Sequence, residues 1–145
     1  MSKHKLLHVF VLIVLFISSS FMAMGKNPVL KNSKWTAVQE IFVADAGTMT
    51  ITHTLEFTSG KEVKILEKSH MPDHPAMYMN PDGTVDRIPG YTSESSEAGT
   101  YSYRRGILTI TTEDGNEALY FYQKDGTFTT SHPWGETLVY SRIQE

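Results

Sequence analysis

The sequence predicts an all-β domain: an antiparallel up-and-down meander of about eight strands closed into a barrel, with a β-sandwich as the alternative. Three observations carry this. Met49, Ile51, His53, Leu55 and Phe57 alternate with Thr48, Thr50, Thr52, Thr54 and Glu56, the period-two pattern of a strand with one apolar and one wet face. Glycine-bearing turns recur about every ten residues through the second half, as expected of linked hairpins. Beyond residue 25 no stretch carries a convincing helical period.

The first 25 residues read as an address. Lys3 and Lys5 supply a positive start, Leu6 to Ile17 an apolar run broken only by His8, and Ser18 to Ser20 a polar turn. Ala23 and Gly25 place small residues at the −3 and −1 positions of a cleavage site, the pattern of a secretory signal peptide. The apolar run is shorter than the roughly twenty residues a membrane span needs, although an uncleaved anchor is the alternative. The expected product is an exported domain, periplasmic or extracellular, spanning Lys26 to Glu145 and free of a membrane span.

Within that domain Trp35 to Val43 is rich in aromatic and β-branched residues, and Asp45-Ala46-Gly47 ends it. Thr48 to Phe57 follows, then a turn at Ser59-Gly60-Lys61 and a strand from Glu62 to Lys68. Thr100 to Arg104 and Ile107 to Thr112 flank the tight turn Arg105-Gly106. Ala118 to Gln123, Thr127 to Ser131 and Glu136 to Arg142 complete the meander, separated by turns at Asp114-Gly115, Asp125-Gly126 and His132-Pro133-Trp134-Gly135. Ser69 to Glu97 interrupts the rhythm with Pro72, Pro75, Pro81 and Pro89. Proline removes ladder donors, so 69–97 is expected to be a long loop with at most a short edge strand over Thr84 to Ile88.

Composition excludes several classes of function. The chain has no cysteine, hence no disulfide, thiolate metal site or cysteine nucleophile. Its formal charge of −3 becomes two units more negative without Lys3 and Lys5, which speaks against nucleic acid. No Gly-x-Ser-x-Gly elbow or glycine-rich phosphate loop is present, and Glu56, Glu62 and Glu67 read as solvated surface carboxylates. The expectation is a protein that is not an enzyme and carries no cofactor.

Three binding features stand out. Strand alternation directs Met49, Ile51, His53, Leu55, Tyr101, Tyr103, Phe121 and Phe128 toward the interior as candidate lining for a small apolar molecule. A filled core with Tyr120 and Tyr122 exposed would instead mark a protein-interaction or inhibitor module of the envelope. A third reading assigns metal binding to the loop from His70 to Met79, where His70, His74 and three methionines cluster. Packing of the methionines onto the barrel mouth is its simpler rival.

The segment Leu30-Lys31-Asn32-Ser33-Lys34-Trp35 resembles the Gly-x-Trp opening of lipocalin-like domains, with Ser33 in place of the usual glycine. Leu138-Val139-Tyr140-Ser141-Arg142 resembles their closing strand. Gly99-Thr100-Tyr101 and Gly106-Ile107-Leu108-Thr109-Ile110 are similar to the rhythm of small secreted lipocalin-like (calycin-type) proteins of Bacteroidetes. The resemblance implies an eight-stranded barrel holding a small apolar ligand or none. It also implies a closure pair in which the Arg142 guanidinium packs over the Trp35 indole.

Overall fold

The computed structural model describes residues 26–131 and 135–144. The expected signal peptide and most of the turn before the last strand lie outside these residues. The strands are β1 (Ser33–Val43), β2 (Gly47–Phe57), β3 (Glu62–Met71), β4 (His74–Pro75), β5 (Arg87–Ile88), β6 (Tyr91–Arg104), β7 (Ile107–Thr112), β8 (Glu117–Tyr122), β9 (Phe128–Ser131) and β10 (Thr137–Ile143). Eight of them close into an antiparallel barrel in the order β1-β10-β9-β8-β7-β6-β3-β2, while β4 and β5 form a separate two-stranded ribbon. Among the described residues no helix is long and apolar enough to cross a membrane.

Local chemistry sets the hairpins. Arg105 and Gly106 both take positive φ, 52° and 82°, between the paired Arg104 and Ile107. Two such residues in succession make the tight turn whose twist matches the flanking strands. Asp125 accepts hydrogen bonds from the Thr127 amide at 3.0 Å and hydroxyl at 2.7 Å, fixing the turn between β8 and β9.

The barrel is filled at one end. Trp35, Leu55, Phe57, Val63, Leu108, Ile110 and Phe128 are each at most 2% exposed. The Trp35 and Phe128 rings meet edge to face at 4.9 Å, and Phe57 meets Tyr101 at 4.7 Å. Leu30 caps this end from the segment before β1, and the Ser33 hydroxyl donates to the Leu30 carbonyl. The Trp35 indole N–H donates in turn to Ser33 Oγ at 2.9 Å. Serine at position 33 therefore satisfies two polar groups that a glycine would leave without a side-chain partner.

The strands differ in length, and this shapes the other end. β1, β2, β3 and the first half of β6 continue past the closed barrel as a four-stranded wing. β6 pairs with β3 from Thr100 back to Tyr91, but with β7 only from Gly99 to Arg104. A Cβ at Gly99 would lie 2.8 Å from the Thr111 carbonyl, so only glycine permits the approach of β6 and β7 where they begin to part.

This corrects the long-loop expectation. Ser69–Met71 belongs to β3 and Tyr91–Glu97 to β6, leaving a connection over 72–90 that contains the small ribbon. The expected edge strand over Thr84 to Ile88 is only Arg87–Ile88, paired with His74–Pro75.

Candidate functional site

Inward-facing residues of the wing form lateral rows across the strands. From the sealed core outward, the rows are Trp35–Leu55–Ile65–Glu97, Ala37–His53–Glu67–Ser95 and Gln39–Ile51–Ser69–Ser93. Polarity rises outward along these rows and burial becomes uneven: Ala37 and Gln39 on β1 stay at most 3% exposed, while Ser93 and Ser95 on β6 are exposed. Met49, Ile51 and His53 are half-buried, whereas Leu55 is 1% exposed. The result is a partly open end of the barrel, where half-buried Met49 and Ile51 on β2 lie beside the polar side chains of Gln39, His53 and Glu67.

These polar side chains are hydrogen-bonded. Gln39, only 3% exposed, donates from Nε2 to the Glu136 carboxylate. The Gln39 carbonyl oxygen faces His53 Nε2 at 3.4 Å, and His53 Nδ1 lies 3.6 Å from Glu67 Oε2. Gln39 on β1 links groups on its two flanking strands, Glu136 just before β10 and His53 on β2, through its amide, which presents a donor and an acceptor at once. Below lie Tyr120 and Tyr140, their rings edge to face at 5.4 Å and their hydroxyls hydrogen-bonded. Burial raises the Tyr140 hydroxyl far above its ordinary value, and the Tyr120 and Glu67 charges add to the shift. Burial raises Tyr120 as well. Both phenols therefore stay protonated in this floor and act as hydrogen-bonding groups rather than bases.

The expected lining residues separate into groups. Met49, Ile51 and His53 face the mouth, whereas Leu55 and Phe128 are locked in the core. Tyr101 and Tyr103 sit at the sealed end, where the Tyr101 hydroxyl donates to the Ser59 carbonyl at 2.8 Å and Tyr103 contacts Phe128 and Tyr122. Phe121 differs from the expectation: it is 45% exposed on the outer face, and Tyr120 and Tyr122 take the inward positions. Leu119 and Phe121 alternate with Tyr120 and Tyr122, so apolarity alone does not choose a face. The hydrogen bond to Tyr140 gives the Tyr120 hydroxyl a buried partner.

Trp35 and Arg142 lie directly opposite each other across the β1–β10 seam. The expected stack is replaced: Phe128 is the ring partner of the indole, and Arg142 is exposed. The loop histidines do not converge either. His70 Nδ1 faces Thr92 Oγ1 at 3.0 Å, His74 Nδ1 takes the Pro72 carbonyl at 3.2 Å, and Met77 and Met79 are exposed. Among the described residues no three histidine, aspartate or glutamate side chains gather to hold a metal.

Glu67 is exposed, as expected of a surface carboxylate, and it also lies beside His53, which the sequence reading did not foresee. The available signal is its parity: Ile65 and Glu67 are two apart on one strand, and Ile65 faces the core. The same parity places Gln39 after Trp35 and Ala37.

No known protein family, curated protein or solved structure matches this chain. The architecture, a closed eight-stranded antiparallel meander, is compatible with a lipocalin-like or calycin-like fold.

Proposed function

We propose that this chain is a non-catalytic, exported barrel protein that holds a small, partly apolar molecule at the open mouth rather than deep in the barrel. The observation that carries the reading is the gradient along β2: Leu55 and Phe57 are sealed, while Met49, Ile51 and His53 are only partly buried. Met49 and Ile51 suit the body of such a molecule, and the polar groups Glu136, Gln39, His53 and Glu67 suit its polar end. Export rests on the three-part pattern of residues 1–25.

A second reading, a packed barrel serving as an interaction module, is favoured by the outer face. Ile107, Phe121 and Val139 are exposed and lie in one lateral row with Thr129 between the latter two. Native mass spectrometry of the protein purified from its own cells separates the two. A retained small molecule that is lost in Ile51→Asp supports mouth binding. Retention of another protein alone, released by Phe121→Ser, would replace it with the interaction reading.

A further inference from the structure

The first half of β6 is an open sheet edge. Tyr91–Ala98 pairs with β3 on one side, and β7 ends opposite Gly99, so among the described residues no strand lies on the other. All eight of these residues are exposed. At about 3.4 Å per residue the edge runs roughly 27 Å, longer than a typical strand. The segment contains no proline, and none of its residues takes positive φ.

The hydrogen-bonding groups on this edge can be assigned. The Tyr101 amide donates to the Lys61 carbonyl on the β3 side at 2.9 Å. Alternation along an antiparallel strand then turns Tyr91, Ser93, Ser95 and Glu97 toward β3, and the amides and carbonyls of Thr92, Glu94, Ser96 and Ala98 outward. Where β6 and β7 part, a cleft of about 650 Å³ opens, lined by Val63, Gly99 and Thr112 among others. Its ionisable lining is Glu62, Glu97 and Glu113 against Lys64. Glu94, further along the edge, is paired with Lys68 at 3.0 Å.

We propose that the β6 edge from Tyr91 to Ala98 is a docking site for an extended basic segment of a partner protein, added antiparallel to β6 in line with β7. The backbone edge supplies affinity without reading sequence, as in other cases of strand addition. The carboxylates at the cleft select charge. A second copy of this acidic chain would bring its own Glu97 and cleft carboxylates to the same edge, and that repulsion favours a basic partner over self-pairing.

The test uses synthetic ten-residue peptides of alternating lysine and valine, or glutamate and valine, followed by amide hydrogen exchange and titration on the whole protein. The lysine peptide is expected to slow exchange at Thr92, Glu94, Ser96 and Ala98, and to bind at least tenfold more tightly than the glutamate peptide. Ser96→Pro removes an outward amide while leaving the β3 ladder its donors, and is expected to weaken binding at least tenfold. The double change Glu97→Lys and Glu113→Lys provides an independent arm, in which preference shifts to the glutamate peptide. Equal binding of the two peptides, protection confined to other strands, or an unchanged affinity in a folded Ser96→Pro would overturn the proposal. So would sedimentation showing that two copies occupy the edge.

Discussion

Phe128 sits on the short strand β9, fully buried, with Trp35, Tyr103 and Tyr122 around its ring. It joins β1 to the far side of the barrel through side chains alone, because β10 lies between β1 and β9. Truncation of such a ring costs about 3–5 kcal/mol, from lost burial and the cavity left behind. That is a large share of the 5–15 kcal/mol by which domains of this kind are typically stable. The milder pair Trp35→Leu and Phe128→Leu keeps the interior apolar and suits a double-mutant cycle. The edge-to-face contact at 4.9 Å and 72° predicts a coupling of about 0.5–1.5 kcal/mol beyond the separate burial terms. Urea denaturation followed by far-ultraviolet circular dichroism measures all four corners without relying on the indole signal. A coupling of zero, with both single variants cooperatively folded, would show that the rings do not meet and that this end is not filled as described. Arg142→Ala, exposed opposite Trp35, is the control, expected to change stability by no more than about 0.5 kcal/mol.

Buried phenols make the protein sensitive to alkali. Tyr101, Tyr103, Tyr120 and Tyr140 are all raised above the ordinary value of 10.0 by burial, so the unfolded chain releases their protons first. Their contribution to stability is complete below pH 10 and declines as pH rises above it, which denaturation at stepped pH detects. Tyr140→Phe should flatten this decline, and an unchanged slope would remove Tyr140 from the explanation. Gly99→Ala should destabilise by about 1–3 kcal/mol through the clash with the Thr111 carbonyl; an unchanged urea midpoint would contradict the close approach. N-terminal sequencing of the exported protein should begin at or near Lys26, whereas an intact Met1 recovered from membranes would favour the anchor.

The parts of the fold legible in the sequence are those where one strand face is buried. β7 and the Leu55–Phe57 end of β2 follow the expected alternation because their inward residues are enclosed in the filled end of the barrel. The first half of β6 was not legible, since Tyr-Thr-Ser-Glu-Ser-Ser-Glu-Ala is exposed on both faces and carries no hydrophobic period. The four prolines of the connection invited an extension of the loop over residues that extend the sheet. In the mouth, Met49, Ile51 and His53 were accessible from β2 alone. The link through Gln39 to Glu136 was not, because it depends on residues 97 apart in sequence meeting where β1 and β10 close the barrel. The exchange of Phe121 for Tyr120 and Tyr122 has a similar cause: a hydrogen-bonded partner on another strand decides which apolar set turns inward.

Small molecules are expected to enter the open mouth and not the sealed core or the outer apolar row. This is tested most directly by fluorescence titration with the neutral fluorophore N-phenyl-naphthylamine on the protein, Ile51→Asp and Phe121→Ser. Binding should be saturable in the unaltered protein, at least tenfold weaker in Ile51→Asp, and unchanged in Phe121→Ser. Binding abolished by Phe121→Ser and retained by Ile51→Asp would place the site on the outer face and contradict that expectation.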